Sequence, residues 1–208
     1  IWKIAAEILK LEPEVLGFGI YIWNRSQSIE LIERLQKQMP HLKIVVGGPE
    51  VSFEEENSLP YPVISGEGEK KWLEFLELTC KEEAPSQEVL TRWRTFGTDL
   101  PELIPPYLKE DFPDLKNRIV YFETSRGCPY LCSFCLSALD KTVRYFDEAS
   151  IQSQIQELIS AGIKKIKFVD RTFNLKPARM KELMQWLTQF KGNEFHFEVV
   201  GDILTADI

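Results

Sequence analysis

The segment Cys128-Pro-Tyr-Leu-Cys132-Ser-Phe-Cys135 contains three of the four cysteines in the 208-residue chain, in the spacing C-x3-C-x2-C. It follows a run of strand-forming residues, 119–127, that ends in a glycine. Soft thiolates clustered in this way select zinc, copper(I) or an iron–sulfur cluster. The segment therefore predicts a metal centre in a loop that follows a strand.

The remaining soft ligands of the chain are few. Zinc sites usually combine two cysteine pairs, or one pair with histidines, to complete a tetrahedron. Outside the segment the chain offers only Cys80, His41 and His196, each isolated in sequence. Three thiols in one short loop suit a cubane cluster with one iron left open. A zinc site remains one alternative. A disulfide pair remains another, although it would leave an odd cysteine and no secretory signal segment is visible.

The residues leading into the motif, Glu123-Thr-Ser-Arg-Gly-Cys-Pro-Tyr130, and the aromatic Phe134 before the last cysteine extend the pattern. Together with C-x3-C-x2-C they resemble the radical S-adenosylmethionine (SAM) superfamily, and most of all its branch with an N-terminal cobalamin-binding domain. The resemblance implies a [4Fe–4S] cluster held by Cys128, Cys132 and Cys135, with the amino and carboxylate groups of SAM on the fourth iron. It also implies reductive cleavage of SAM to methionine and a 5′-deoxyadenosyl radical. We assign no residue of the chain as catalytic.

The residues before the motif alternate between helix and strand patterns, with glycines at the ends of the strands. Such repetition indicates a doubly wound α/β sheet. The near-continuous apolar run 15–23 suits a buried parallel strand covered on both faces, and Ser26 or Ser28 is expected to cap the following helix. In chain order, the patterns predict a helix over 2–11, strands over 15–23, 41–46 and 62–65, a helix ending at Met39, and a helix carrying Trp72, Leu73, Phe75 and Leu76.

Ligands of doubly wound sheets bind outside the carboxyl ends of the strands, where loops expose backbone amides. The runs Val45-Val-Gly-Gly-Pro-Glu50 and Ile64-Ser-Gly-Glu-Gly-Glu69 are similar to the strand-end loops of cobalamin-binding domains. The resemblance implies a Rossmann-like (flavodoxin-like) domain that is incomplete at its N-terminus, without its first strand and loop. The implied cobalamin contacts are Tyr21, Asn24, Gly47, Gly48, Pro49, Glu50, Gly66, Glu67 and Gly68.

One feature of many cobalamin-binding domains is missing from the sequence. The chain contains no D-x-H-x-x-G motif, so no histidine ligand for the lower face of the cobalt is visible. Two interpretations follow from this departure. The domain binds cobalamin, or it keeps the fold and has lost the corrin.

The α/β pattern is interrupted between residues 79 and 118. Residues 81–86 are polar, and residues 100–107 are proline-rich and biased toward extended structure. We predict a cobalamin-binding-like domain over 1–78, an interdomain connection over 79–118 and a radical SAM domain over 119–208. Apolar residues within the connection, among them Val89, Leu90 and Trp93, suggest that much of it packs on a surface.

The α/β pattern resumes after the cysteines. Asp147 is expected to cap a helix that Gly162 closes, and Pro177 is expected to open the next helix. Strands are predicted over 163–169 and 195–200. These units are the first half of the partial (βα)6 barrel that the resemblance implies. Barrel enzymes place their chemistry at the carboxyl ends of the strands.

The segment Asp170-Arg-Thr-Phe-Asn174 stands where the superfamily has a SAM-contacting motif, after the second barrel strand. Asp170 is the best charge match for the ammonium of SAM, and the alternative is that Asp170 and Asn174 only cap the turn. The resemblance places Phe134 near adenine and makes Glu198 a candidate for contact with SAM or substrate. The implied SAM contacts are Phe134, Asp170, Arg171, Thr172 and Glu198.

The composition limits the classes of function. The formal net charge of −7 gives no electrostatic footprint for nucleic acid, which argues only weakly against an RNA substrate. No apolar run approaches the ~20 residues of a membrane span, and no targeting segment is visible.

A cluster of this kind needs a reducing cytoplasm and a reductant such as flavodoxin or ferredoxin. We therefore expect a cytoplasmic radical SAM enzyme that methylates or rearranges a substrate with the help of cobalamin. The alternatives are a non-catalytic corrinoid- or metal-binding module (zinc or iron–sulfur) and a fragment that is inactive alone.

Overall fold

The computed structural model describes residues 1–53, 59–96, 105–139 and 142–204. The chain forms two compact units, Ile1–Thr98 and Asp99–Ile208. Each unit has its own parallel sheet and its own hydrophobic core.

The first unit is a parallel sheet with helices on both faces. Its elements are α1 (Trp2–Leu11), β1 (Val15–Gly19), α2 (Arg25–Gln38), β2 (Lys43–Gly47), α3 (Pro49–Ser52), β3 (Val63–Ile64), α4 (Glu69–Cys80) and α5 (Gln87–Trp93). The strand order is β1-β2-β3. Gly19 pairs with Gly47, and Gly47 pairs with Ile64, so the three strands end side by side at one edge. The predicted doubly wound α/β arrangement is confirmed.

Alternate side chains of β2 enter two cores on opposite faces of the sheet, as the period of two in a strand requires. Val46 packs with Ile32 of α2. Its neighbour Val45 packs with Phe75 of α4 and Trp93 of α5. Full burial of each such side chain contributes about 1.5–3 kcal/mol, so both helical layers are held to the sheet.

Strand β1 ends at Gly19, and the prediction of a buried strand reaching Trp23 is wrong. The side chain of Asn24 closes a turn instead, because its Oδ1 accepts from the amide of Tyr21 at 2.8 Å and its Nδ2 donates to the carbonyl of Gly19 at 3.0 Å. Tyr21 and Trp23 are exposed as a result. Asn24 is also the residue before α2, so neither Ser26 nor Ser28 caps that helix, and Ser28 is buried inside it.

Part of the predicted connection belongs to the first unit. Helix α5 begins after Ser86, whose hydroxyl accepts from the amide of Val89. Its last residue, Trp93, is fully buried against Val45 and Phe75, as the apolar character of this stretch suggests. The domain limits given above stay a prediction, and the first compact unit extends in sequence to Thr98.

The second unit is a parallel sheet with two long helices packed on one face and a short helix before its first strand. Its elements are α6 (Phe112–Leu115), β4 (Ile119–Phe122), β5 (Ser125–Arg126), β6 (Arg144–Tyr145), α7 (Glu148–Ser160), β7 (Lys165–Phe168), α8 (Pro177–Leu187) and β8 (Glu194–His196), with short 3-10 turns at Lys109–Asp111, Leu136–Leu139 and Gly201–Ile203. Strands β4, β7 and β8 are parallel and lie side by side in that order. Strands β5 and β6 form a separate antiparallel pair.

The two long helices α7 and α8 cover one face of the sheet in the second unit. Phe122 and Phe168 pack against α7 through Ile155 and against α8 through Leu183. The predicted helix limits are correct, because Asp147 accepts from the amide of Ser150 and Gly162 follows the helix with φ +93°. Strand β8 is shorter than predicted and ends at His196.

Candidate metal centre and cofactor-binding loops

The three cysteines lie in a loop whose two ends are held together. The loop leaves β4, passes through β5 and returns through β6, and β5 and β6 pair through Arg126 and Arg144. Gly127 adopts φ +100°, and a Cβ there would lie 1.8 Å from the carbonyl oxygen of Thr142 on the returning strand. Only glycine fits this closure, which places the cysteines at the carboxyl end of a parallel sheet.

The cysteine side chains are accessible from solvent. Cys132 and Cys135 are exposed, Cys128 is half-buried, and none of the four cysteines is in a disulfide. The amide of Cys135 donates to the carbonyl of Cys132 at 3.0 Å, so these two residues flank a tight turn. Among the described residues no three Cys, His, Asp or Glu side chains already lie together as a metal site.

The donor set of this loop fits an iron–sulfur cluster. It provides three soft thiols, and residues 128–139 contain no histidine or carboxylate. A zinc site with four protein ligands would need a fourth donor from outside these residues. Residues 127–135 lie outside any helix or strand.

Asp170 does not have the role that the sequence suggested. Its side chain is 1% exposed. Its carboxylate accepts from the Thr124 amide at 3.0 Å, the Thr124 hydroxyl at 2.7 Å and the Ser125 hydroxyl at 2.6 Å. A buried carboxylate whose two oxygens are engaged in this way is a structural group, so we revise its assignment as a ligand of the SAM ammonium.

The rest of the segment after β7 is partly buried and partly accessible. Asn174 is buried and pairs with the backbone of Val200, at 2.8 Å in both directions. Thr172 is buried, and its hydroxyl has no hydrogen-bond partner in the described structure. Arg171, between Asp170 and Thr172, is exposed. Of the SAM contacts predicted in this segment, Arg171 is therefore the accessible one.

The two remaining SAM candidates also reach solvent. Phe134 is 91% exposed, in the turn between Cys132 and Cys135. Glu198 is half-exposed and forms an ion pair with Lys167 at 3.1 Å. Phe197 packs in the helical core, so the adjacent Glu198 lies toward the opposite face of the sheet. Both assignments stay predictions.

The predicted cobalamin contacts follow the three strands of the first sheet. Tyr21 and Asn24 follow β1, residues 47–50 follow β2, and residues 66–68 follow β3. Because the strands end side by side, the structure brings these loops to one edge. Gly48 is essential to this arrangement, since it has φ +100° and a Cβ there would lie 2.5 Å from the Ile20 carbonyl oxygen.

Exposed aromatic side chains gather around the same loops, and the sequence interpretation missed three of them. Trp23 is 71% exposed and stacks on Tyr21, with ring centroids 4.7 Å apart. Phe53, after α3, stacks on Phe96 at 5.1 Å. A Cβ at Gly66 would lie 3.2 Å from the Phe96 ring. The turn-forming Asn24 was the available signal for Trp23, while the pairing of Phe53 with Phe96 has no local signal.

Lys71 holds the loop after β3 in place. Its buried ammonium donates to the carbonyl oxygens of Ser65 and Thr95, both at 2.7 Å. Burial lowers the pKa of Lys71, and the nearby carboxylate of Glu67 opposes that change. The lysine thus joins the start of the Gly66–Gly68 loop to the segment that carries Phe96.

The histidine nearest in sequence to these loops lies away from them. His41 is exposed in the turn that precedes β2. The amino end of a parallel strand is at the opposite edge of the sheet from its carboxyl end. The first unit therefore provides no histidine at the edge where the loops gather, within the residues that the structure describes.

Comparison with known proteins identifies relatives for both units. Residues 2–75 match the family described as the B12 binding domain. TokK of Streptomyces tokunonensis, a cobalamin-dependent radical SAM methyltransferase, is 28% identical over 88% of this chain and 30% of its own length. The hopanoid C-3 methylase of Methylococcus capsulatus is 31% identical over 92% of this chain and 41% of its own length.

Solved structures of the radical SAM methyltransferase TsrM from Kitasatospora setae share the fold. The structure with tryptophan substrate and the SAM analog aza-SAM bound matches with a TM-score of 0.58 and 18% identity, over 90% of this chain and 43% of TsrM. The structure with cobalamin and a [4Fe-4S] cluster bound matches with a TM-score of 0.57. The chain spans less than half the length of these relatives.

These matches confirm two of the predictions. The resemblance to the cobalamin-binding-domain branch of the radical SAM superfamily is correct. The α/β fold class is correct as well, with a Rossmann-like B12-binding unit and parallel α/β sheets that match the fold of part of TsrM. None of the helices in the described ranges combines the length and apolar composition needed to cross a bilayer.

Proposed function

We propose that this chain is the cofactor-binding part of a cobalamin-linked radical SAM enzyme, most simply a methyltransferase. The observation that carries the proposal is the position of three thiols in one accessible loop at the carboxyl end of a parallel sheet. The named relatives are methyltransferases, which favours methyl transfer over rearrangement of a substrate.

Cys128, Cys132 and Cys135 are the residues that would hold a [4Fe–4S] cluster. When bound and reduced, such a cluster supplies the electron that cleaves SAM to methionine and a 5′-deoxyadenosyl radical, and cobalamin supplies a carrier for the methyl group. The chain itself contributes by positioning the thiols and the residues that contact SAM. The closed base of the loop presents the thiols at the strand ends, and the exposed Phe134 and Arg171 are available there to contact SAM.

The loops of the first unit are the proposed cobalamin site. Gly48 and Gly66 let the backbone come close to a ligand, and the exposed aromatic pairs offer apolar surface to a corrin ring. No histidine of this unit is near, so the cobalt would bind without a histidine ligand from it.

Cobinamide, which lacks the nucleotide base, tests this statement. After reduction, the EPR spectrum of bound cobinamide should show no nitrogen splitting, and splitting that responds to isotopic labelling of histidine nitrogen would contradict it.

The cellular setting follows from the thiol chemistry. A cluster held by exposed thiols requires a reducing compartment, so we place the enzyme in the cytoplasm. Its reduction requires an electron donor such as a flavodoxin or ferredoxin. The activity of the whole enzyme, its substrate and its reductant are parts of this proposal.

Anaerobic reconstitution tests the proposal. The protein is loaded with ferrous iron and sulfide and then analysed for metals. We expect about four irons and four sulfides per chain, and 5′-deoxyadenosine or methionine after reduction with SAM. Serine at Cys128, Cys132 or Cys135 should abolish iron retention, whereas Cys80→Ser, in the exposed last residue of α4, should leave it unchanged.

A non-catalytic metal-binding module is the second candidate. It is favoured by the accessibility of the free thiols, which can also bind zinc when a further donor completes the site. Stoichiometric zinc, with no SAM cleavage after reduction, would establish this alternative. A loaded cluster without SAM cleavage would mean that this chain needs further parts of the enzyme for activity.

A further inference from the structure

We infer that Asp170 is a positioning residue for the cysteine loop, acting on the thiols through Thr124 and Ser125. This inference rests on the proposed function, because it concerns the residues proposed to hold the cluster. Asp170 lies just after β7, the central strand of the second sheet. Its hydrogen-bond partners lie just after β4, directly before the segment that carries Cys128.

The carboxylate fixes the backbone and the side chains of its partners together. One oxygen accepts from both hydroxyls, at 2.7 Å from Thr124 and 2.6 Å from Ser125. The other accepts from the Thr124 amide at 3.0 Å. Hydrogen bonds to an ionised acceptor are roughly twice as strong as neutral ones, and the site is buried. This contact therefore holds the paired base of the cysteine loop, residues 124–126 and 144–146, which we call the stem.

Arg179 holds Thr124 from a second side. Its guanidinium donates to the hydroxyl and to the carbonyl of Thr124, both at 3.3 Å, and also pairs with Glu148 at 3.2 Å. Thr124 is fully buried between the carboxylate and the guanidinium. The stem is therefore fixed by elements on two sides, β7 and α8.

Both ends of the cysteine loop meet at this stem. The carbonyl of Thr124 accepts from the amide of Phe146 at 3.1 Å, on the returning strand. Ser125 pairs with Tyr145 in the β5–β6 ladder. Residues 127–135 have no helix or strand of their own, so the stem is what determines where the thiols start and in which direction the loop leaves.

Asn174 provides a matched comparison within the same segment. It is as buried as Asp170 and likewise bonds a neighbouring strand end, but its partner is Val200 after β8. The sequence around Val200 contains no cysteine. Loss of Asn174 should therefore disturb the fold without disturbing the thiols.

The test compares Asp170→Asn with Asn174→Ala in the reconstituted protein. For each variant we would measure the midpoint of thermal unfolding, the EPR spectrum of the reduced cluster without SAM, and the rate at which a ferrous chelator removes iron. We expect D170N to lose iron about tenfold faster than the wild type, with an altered EPR spectrum. This is the lower end of the loss in metal affinity for direct partners of metal ligands, because Asp170 acts on the cysteine loop through Thr124 and Ser125. N174A should unfold at a lower temperature and keep the wild-type spectrum and chelation rate.

Ser125→Ala keeps the test decisive if D170N folds poorly. It removes one of the three hydrogen bonds and leaves the charge, so iron loss should be faster than in the wild type, with a smaller fall in the unfolding midpoint than in D170N. Iron loss that simply follows the unfolding midpoint in all three variants would overturn the inference. If the wild type takes up zinc instead of a cluster, the proposed function fails, and the same comparison of chelation rates on zinc still decides the role of Asp170.

Discussion

The hydroxyl of Tyr107 bonds both backbone polar groups of Tyr121, donating to its carbonyl at 3.1 Å and accepting from its amide at 3.0 Å. Tyr121 lies in β4, which pairs with β7 on one side and with no other strand among the described residues. Unpaired edges of sheets are sites of unwanted association. The hydroxyl of Tyr107 therefore takes the place of a neighbouring strand at Tyr121 and covers the edge of the strand that leads to the cysteine loop.

Tyr107→Phe should destabilise the second unit. The change removes two hydrogen bonds at little cost in apolar contact, so we expect a loss of about 1–2 kcal/mol in the free energy of unfolding, measured by urea denaturation. Tyr121→Phe is the control. Its own hydroxyl makes no hydrogen bond within the described residues, so its loss should stay below about 0.5 kcal/mol. Equal losses in the two variants would mean that Tyr107 contributes through packing alone.

Gly127→Ala should open the base of the cysteine loop. The added Cβ would meet the Thr142 carbonyl oxygen, so the returning strand must move. Gly192→Ala is the matched control, because Gly192 also has positive φ but has no atoms within 4 Å of the added Cβ. We expect G192A to cost about 1–2 kcal/mol with unchanged iron uptake, and G127A to cost more and to lower iron content after reconstitution. Normal iron content in G127A would show that the closure is not needed.

Trp23→Ala should weaken cobalamin binding. The exposed Trp23–Tyr21 stack offers apolar area beside the loops after β2 and β3, and its loss should raise the Kd about tenfold, or about 1.4 kcal/mol. Trp2→Ala is matched in exposure, since both tryptophans are 71% exposed. Trp2 lies in α1 against Arg34 of α2, so W2A should bind cobalamin as the wild type does. A titration followed by absorbance of the corrin measures both, and equal Kd values would contradict the assignment.

The sequence was sufficient for features that depend on local chemistry. Residue type predicts the cap at Asp147 and the end of α7 before Gly162. Strand direction predicts that three loops lie at one edge of the sheet. The end of β1 was missed because the polar side chain of Asn24 competes with the apolar run and closes a turn.

The role of Asp170 could not be predicted for a different reason. Its partners Thr124 and Ser125 lie about one strand–helix unit earlier in the chain, and only the pairing of β4 with β7 brings them together. From the sequence alone, an acidic residue at the end of a strand is equally consistent with a residue that binds a ligand and with a residue that stabilises the fold. Burial decides between the two, and burial depends on contacts that are distant in sequence. The packing of Trp93 against Val45 is a similar case.

Lys71 should give the first unit a measurable dependence of stability on pH. Burial lowers its pKa from the usual 10.5. Between the lowered pKa and 10.5, the unfolded chain binds a proton at this site that the folded chain has released, so the free energy of unfolding rises with pH across this window. Below the lowered pKa both states are protonated, and the contribution of Lys71 is constant.

Lys71→Met removes this dependence together with two hydrogen bonds to carbonyl oxygens, which should cost about 1–3 kcal/mol. We expect the difference in unfolding free energy between the wild type and K71M to grow as the pH is raised toward 10.5, measured by urea denaturation. Lys70→Met, at the exposed neighbouring position in α4, should leave the pH profile of the wild type unchanged. A difference that shrinks with rising pH would mean that the folded protein binds the proton at Lys71 more tightly than the unfolded chain does. The two hydrogen bonds to Ser65 and Thr95 would then outweigh the cost of burying the charge.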